Sequence, residues 1–445
     1  MPVVLGEALG GDHGAHARER TPASRTCESG EADACGILTA PAYSGLVPEF
    51  PYARLRRWPD VEAENLQAHD ATDLLLASRA LDSGITRTET AVIGDDYGAI
   101  TLPLVASGLR GIRVHQDLAT GRRALARNAA ELGLEGFTTH ELDETLLRGA
   151  RLVLLQLPKA LAELEQIADA VARWAAPDAV LVAGGRVKHM TLAQNEVLRR
   201  SFGEVQPQRA ERKSRLLVAS QPLAVPAQPP FPVRAAHDGL ALVAHGGAFA
   251  GPRLDIGTRV LLEALALDGS QRRRTARPGA ASPPELPENE GFSGVVNAED
   301  PRRVLDLGCG TGALAVSWAL AHPGDAVTAT DRSAAAVAST RATAAANGVA
   351  DRVTVTHDDA GSNLPDGAFD VVLLNPPFHL GSSVHTGAAT RLFEAAARLL
   401  RPGGELFTVY NSGLAYRPEL TRLIGRTEQL RRTPKFTVTR SVRRP

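Results

Sequence analysis

Cysteine, lysine and long apolar runs are all scarce in this chain, and each scarcity removes a class of answer. Three cysteines in 445 residues, Cys27, Cys35 and Cys309, are too few and too scattered for a disulfide framework. Cys27 and Cys35 stand in a polar, glycine-rich stretch with no His or Cys partners at zinc spacing, so no metal is expected. No apolar run approaches the ~20 residues of a membrane-spanning helix. Residues 1–14 lack the basic start and continuous apolar centre of a secretory signal. A reduced, cytoplasmic protein without a membrane is the simplest expectation. Only Lys159, Lys188, Lys213 and Lys435 are lysines among 49 basic residues, so contacts to phosphate would fall to arginine. A formal net charge of -1 excludes a whole-chain attraction to nucleic acid and leaves only local patches. What is present in quantity is apolar: 44% of residues, enough for real cores. The length suits two or three domains at about 100–200 residues each.

Residues 1–52 are polar and glycine-rich and read as a disordered leader. Helical spacing of Leu66, Leu74, Leu75, Leu76 and Leu81 predicts a helix over 65–82. From Thr90 a strand–helix rhythm sets in, with strands over 91–94, 112–116, 151–157 and 179–183 and helices over 100–108, 119–133 and 159–175. The rhythm recurs, with strands over 304–307, 326–330, 353–356, 369–374 and 405–409 and helices over 313–321, 333–347 and 390–400. A closing hairpin-like region runs through 436–442. Strands alternating with helices imply a doubly wound, mostly parallel sheet. Gly98 and Gly312 are 214 residues apart, as are Asp117 and Asp331, while Gly133 and Gly348 are 215 apart and Pro158 and Pro376 218. The chain is therefore read as two copies of one α/β fold in tandem, 53–220 and 236–445. A proline-rich linker over 221–235 joins them, and 268–301, Arg-rich and then Pro/Glu-rich, is expected as a disordered insertion.

The chemistry gathers in the second copy. Val304 to Gly312 is a strand ending in a glycine turn, in which Gly308, Gly310 and Gly312 let the backbone approach a ligand with no side chain between. Asp331, 19 residues after Gly312, closes the next strand, where a carboxylate can accept both hydroxyls of a ribose. A dinucleotide loop favours a helix N-terminus open to pyrophosphate. Here Asp306 precedes the loop, which suits a ligand carrying an amino group and a sulfonium. Asp358, preferred over Asp359, ends the third strand where an adenine amino group could donate. S-adenosyl-L-methionine is thus favoured over a nicotinamide dinucleotide. Asn375-Pro376-Pro377-Phe378 follows a buried strand. The Asn375 amide oxygen and the Pro376 carbonyl are two acceptors fixed by prolines that hold φ, able to take both hydrogens of one planar amino group. Phe378 offers a ring for a base to stack on, and His379 is read as structural. Two arginine clusters, 417–444 and 209–215, are candidate RNA surfaces.

Residues 240–445 resemble the class I methyltransferases, specifically the ribosomal RNA guanine-N2 methyltransferases of the RsmC/RlmG type. Asn375 to His379 matches that family's Asn-Pro-Pro-Phe-His. Phe249 to Gly257 matches its approach segment, with Ala250 and Gly251 replacing a Ser and an Arg. Val337 to Arg341 through Gly348 matches part of a helix motif. Asn65 to Asp73 and Gln156 to Leu161 resemble its degenerate amino-terminal copy, closest to the large-subunit branch. The resemblance implies two tandem Rossmann-like methyltransferase domains, the first degenerate. Gly94-Asp95-Asp96-Tyr97-Gly98 replaces the cofactor loop, and Gln156-Leu157-Pro158-Lys159 replaces Asn-Pro-Pro-Phe. It also implies methyl transfer to the exocyclic N2 of a guanine, with ribosomal RNA or a ribosomal subunit as partner and a monomer as the working form. The same tetrapeptide type serves adenine-N6 and protein glutamine-N5 methylation. A non-catalytic RNA-binding or ribosome-assembly factor is the reading from another class.

Overall fold

A computed structural model describes residues 50–83, 89–275, 301–377 and 383–445, all within the compact unit Ala42–Pro445. The expected leader up to residue 49 and the insertion over 276–300 lie outside the described residues. The first helix, α1 (Ala71–Asp82), begins six residues later than its apolar spacing suggests. Asp70 is the reason: its carboxylate accepts from the backbone N–H of Thr72 and Asp73 while Asp73 accepts from the Asp70 N–H, a reciprocal cap that fixes the start.

The first sheet takes its strands from β1 (Thr90–Ile93), β2 (Ile112–His115), β3 (Phe137–Thr139), β4 (Leu152–Gln156), β5 (Val180–Arg186), β6 (Phe202–Pro207) and β7 (Ser214–Pro222). Between them run α2 (Thr101–Ala106), α3 (Ala119–Leu132), α4 (Glu144–Leu147), α5 (Leu161–Trp174) and α6 (Leu192–Leu198). A hairpin, β8 (Val233–His237) and β9 (Leu240–Ala244), leads to α7 (Ile256–Thr275). The second sheet comprises β10 (Arg303–Leu307), β11 (Ala326–Asp331), β12 (Val353–His357), β13 (Phe369–Leu374), β14 (Leu400–Asn411), β15 (Thr427–Arg432) and β16 (Phe436–Val442). Its helices are α8 (Ala313–Ala321), α9 (Ala334–Ala346), α10 (Ser383–Leu399) and α11 (Arg417–Leu423). α7 continues to Thr275, inside the stretch expected to be a loop from 268.

Both sheets have one strand order, β3-β2-β1-β4-β5-β7-β6 and β12-β11-β10-β13-β14-β16-β15. In each, the last two strands by sequence close the edge antiparallel and the rest are parallel. Alternate residues of a strand serve opposite layers: Val371 and Leu373 face one buried cluster, Val372 and Leu374 the other. The order reverses between β10 and β13, which opens a crevice at their carboxyl ends.

The pairing register corrects two correspondences. Ala91 faces Arg113 while Leu305 faces Thr328, so β1 maps onto β10 at 214 but β2 maps onto β11 at 215. The counterpart of Asp331 is therefore Gln116, not Asp117. The side chains agree: Gln116 accepts from Leu118 N–H at 3.0 Å as Asp331 accepts from Ser333 N–H at 2.9 Å. Ala91 also faces Val153 while Leu305 faces Val372, so β4 maps onto β13 at 219 and Pro158 answers to Pro377 rather than Pro376.

The two copies meet through equivalent segments. Leu118 and Ser333 form an antiparallel bridge. Ala119 N–H donates to the Arg332 carbonyl at 2.8 Å and Ala334 N–H to the Asp117 carbonyl at 2.9 Å, a nearly two-fold exchange at the starts of α3 and α9.

Candidate active site

The glycine turn sits at the carboxyl end of β10. Gly308 (φ 83°), Gly310 (φ 54°) and Gly312 (φ 80°) all hold left-handed backbone. They divide the work. A Cβ on Gly308 or Gly310 would meet nothing within 4 Å, so open space lies over both. A Cβ on Gly312 would sit 2.8 Å from Thr340 Cγ2 and 3.1 Å from Thr340 Cα, so this glycine lets α8 approach α9. Beneath the turn, Asp306 is 1% exposed, with Oδ2 accepting from Ala315 N–H at 2.9 Å and Oδ1 unpartnered. Burial pushes its pKa up to about 7, against the Ala315 bond and aided by the Asp331 charge. Asp331, at the end of β11, accepts from Gly310 N–H and Ser333 N–H, each at 2.9 Å, which ties it to the loop. Burial raises its carboxyl too.

Asp358 is placed differently from the expectation of a free acceptor. It is 2% exposed, and its oxygens accept from Ser362 Oγ (2.7 Å), Asn363 N–H (2.7 Å), Asp359 N–H (2.9 Å) and the Arg123 guanidinium of the first copy. Burial alone would raise its pKa, yet the bonds from Asn363, Ser362 and Arg123 hold it below the usual carboxylate range. Asp359 pairs through Oδ2 with Arg391, and its other oxygen has no hydrogen-bond partner among the described residues.

Asn375 follows β13 on the far side of the crevice. Its amide nitrogen donates to Asp255 Oδ2 at 3.0 Å and to Thr258 Oγ1 at 2.9 Å. A carboxylate only accepts, so Asp255 fixes which way the amide is turned. The Asn375 Oδ1 is left buried and without a partner. Asp255 is itself held, since it caps α7 through Thr258 N–H at 3.1 Å. Gly257 keeps the space beside this oxygen clear: a Cβ there would lie 3.1 Å from Asp255 Oδ2, 3.3 Å from Phe436 Cε1 and 3.4 Å from Asn375 Oδ1. Pro376 is buried and Pro377 exposed, while Phe378 and His379 lie outside the described residues.

Asp255 and Phe436 are the residues that sequence reasoning left without a role. Asp255 belonged to the quoted approach segment, but only the contact across 120 positions shows what it holds. Phe436 reaches the site because β16 pairs antiparallel with β14, Asn411 opposite Phe436, which brings it to the carboxyl edge of the sheet.

The equivalent crevice of the first copy is filled by its own side chains. Asp96 stands where Gly310 stands in the second copy and accepts from Gln116 Nε2 at 2.9 Å. Tyr97 donates to Asp60 at 2.8 Å, and the Arg57 guanidinium lies 4.7 Å from the Tyr97 ring centre, closing the segment before α1 over the turn. The carboxy-terminal arginine cluster is partly consumed internally: Arg431 pairs with Glu263 at 2.7 Å, and Arg440 pairs with Glu405 and Glu428. Among the described residues no group of three or more His, Cys, Asp or Glu is arranged to hold a metal ion, and no helix is long and apolar enough to cross a membrane.

Comparison with known proteins agrees with this geometry. The family described as RLMG N-terminal domain matches residues 46–223, and the family described as Methyltransferase small domain matches residues 293–440. A protein of Ectopseudomonas mendocina named ribosomal RNA large subunit methyltransferase G is 34% identical over 394 residues, covering 87% of this chain and 97% of its own length. One of the same name from Streptomyces coelicolor is 32% identical over 405 residues, with 87% and 97% covered. The fold is shared with the solved T. thermophilus 16S rRNA N2 G1207 methyltransferase (RsmC) in complex with AdoMet and guanosine, with a TM-score of 0.64 at 24% identity over 84% of this chain and 92% of that one. With a match of 34% identity over 87% of its length, two family matches along the chain and one shared fold, the chain belongs to the ribosomal RNA large subunit methyltransferase G family.

Proposed function

We propose that this protein is an S-adenosylmethionine-dependent methyltransferase that methylates the exocyclic N2 of a guanine in ribosomal RNA. The observation that carries the reading is the Asn375 oxygen, buried, unpartnered and unable to turn away because Asp255 and Thr258 hold the other end of the amide. Such an oxygen is costly to leave unsatisfied, and a planar amino group is the partner it fits. The open space over Gly308 and Gly310, beside an acidic Asp331, suits the cofactor.

S-adenosylmethionine, when bound, supplies an electrophilic methyl group on sulfur, which is already a good leaving group. The chain's own task is then alignment, worth roughly 7–11 kcal/mol in favourable cases. Asp331 would accept the ribose hydroxyls. With Asp358 bonded within its turn and to Arg123, Asp359 is the neighbouring carboxylate that could accept from the adenine amino group. Asn375 Oδ1 and the Pro376 carbonyl each accept one hydrogen of the guanine amino group, which leaves the N2 lone pair directed at the methyl carbon. Gly257 leaves room for the base, and Phe436 bounds it. With the C–S electron pair returning to sulfur, the bound cofactor would supply its own leaving group, and the surplus N2 proton could pass to water, so the chain would need no strong base. The guanine must be swung out of its stack to arrive, at a cost of a few kcal/mol.

The test is labelled-methyl transfer to the ribosomal RNA and, in parallel, to the protein of a strain lacking the gene, followed by nucleoside and amino-acid analysis. N2-methylguanosine is expected. Label in N6-methyladenosine or in protein glutamine would replace this reading with its rivals, and cofactor binding without any transfer would point to a non-catalytic factor.

A further inference from the structure

The first copy has lost its own cofactor cleft, yet it reaches into the cleft of the second. We infer that Asp117 and Arg123, both of the degenerate copy, are positioning residues of the cofactor site in the catalytic copy. This rests on the reading of that crevice as the S-adenosylmethionine site.

Three contacts converge on the two segments that flank Asp331. Asp117 acts on the start of α9, three residues beyond Asp331: its carbonyl accepts from Ala334 N–H at 2.9 Å and its Oδ1 from Ala335 N–H at 2.9 Å. Two of the N–H groups that a helix start leaves without internal partners are thereby satisfied from the other copy. His357, ending β12, donates through Nε2 to the Asp117 carbonyl (2.9 Å) and the Arg332 carbonyl (2.8 Å), which joins the β11 and β12 ends. Arg123, on α3, spans the turn after β12: Nη1 donates to Ser362 Oγ at 2.7 Å and Nη2 to the Asp358 carboxylate.

Asp358 explains why a side chain from another domain matters here. Its carboxylate is almost fully buried and organises the turn 358–363 through Asp359, Ser362 and Asn363. A buried carboxylate needs a compensating charge, and Arg123 is the cation bonded to it. The turn also begins on the ribose side, since Asp358 N–H donates to the Asp331 carbonyl at 2.9 Å. Removing the guanidinium should release the turn that carries Asp359 and leave the chemistry at Asn375 alone. The arrangement gives the duplication a use beyond bulk: one copy surrendered its ligand and became part of the wall of the other's.

Full-length Arg123→Gln and Arg123→Lys are to be compared with wild type by calorimetric titration of S-adenosylmethionine and by steady-state kinetics. Arg127→Ala, on the same helix with its guanidinium 4.6 Å from the Trp58 ring centre, is the control. Arg123→Gln should raise the cofactor Kd and KM roughly tenfold and leave the RNA KM and saturated kcat within about twofold. Arg123→Lys should recover part of the loss, because an ammonium can reach Asp358 but not Ser362 as well. Arg123→Gln and Asp358→Asn together should cost less than the sum of the two alone. An unchanged Kd in Arg123→Gln overturns the inference, as does an equal rise in Arg127→Ala that tracks a common loss of Tm. Should Arg123→Gln not fold, an unchanged Kd in Arg123→Lys overturns it. Wild type that binds no S-adenosylmethionine would instead sink the proposed function.

Discussion

Asn375 was legible in the sequence because an Asn-Pro-Pro turn after an aliphatic strand has few other chemical uses. The residue that aims it was not, since Asp255 lies 120 positions away and meets it only in the folded chain. This pairing yields a sharp test. Asp255→Ala removes the one oxygen that both orients the Asn375 amide and caps α7, so the Asn375 amide can turn over and present NH2 to the base. Activity should fall about tenfold or more, mostly in kcat, with the cofactor Kd unchanged; an unaltered kcat would mean that Asn375 is oriented by something else. The bonds of Asp358 could not be foreseen, because a carboxylate at a strand end looks alike whether free or consumed, and only its bond list separates the two. Asp306 carries a pH signature. Its folded pKa of about 7 lies above the ordinary Asp value of 3.8 that the unfolded chain keeps, so its contribution to stability is complete below about pH 4 and is lost as pH rises through 7. Asp96, raised to about 6, and Glu163, raised to about 7, act in the same sense, so the single variant must be compared with wild type. Asp306→Asn should flatten part of the decline in Tm between about pH 4 and pH 7. An unchanged slope would place Asp306's ionisation outside that range.

At the scale of elements, most of the parallel strands of both sheets and the longer helices between them could be read from apolar runs and glycine turns, because burial on two faces leaves a continuous aliphatic signal. The short β3, the antiparallel edge strands β6, β7 and β15 and the β8–β9 hairpin could not. The hairpin joins neither sheet, and β9 is instead bonded to side chains of α9 and its C-cap. Ala241 exchanges bonds with Asn347 at 3.0 and 2.7 Å, Val243 with Thr343 at 3.0 and 3.2 Å, and His245 N–H donates to Ser339 Oγ at 3.0 Å. Ser339, Thr343 and Asn347 are four apart, on one face of the helix or at its cap, and serve as a substitute strand for the hairpin's open edge. No local pattern announces this, since three polar residues in an alanine-rich helix read as a solvated face. Asn347→Ala leaves the Ala241 N–H and C=O without that partner. Denaturant unfolding should show a loss of about 1–3 kcal/mol, and a loss near zero would mean that water replaces the amide readily.

Over the whole molecule, the duplication was visible in glycine and proline spacings, but the way the copies dock was not, because docking depends on single residues at the seam. Gly246 is one of them. Its N–H donates to Gln166 Oε1 at 2.6 Å, and a Cβ on it would lie 2.3 Å from the Ala162 carbonyl oxygen and 2.7 Å from its carbon. Those are backbone atoms of α5 in the first copy, so a methyl group can be accommodated only by moving α5 or the segment that leads to Asp255. Gly246 does not hold left-handed backbone, so alanine there tests close approach rather than strain. Overpacking of this kind costs about 1–3 kcal/mol, and here the cost falls on the contact between copies rather than on either core. Calorimetric unfolding of Gly246→Ala should separate into two transitions where wild type shows a single coupled one, and the cofactor should raise the later transition alone. If the variant unfolds in one step at the wild-type temperature, the seam has slack, and the dependence of the cofactor site on the first copy must run through the starts of α3 and α9 without help from the approach segment.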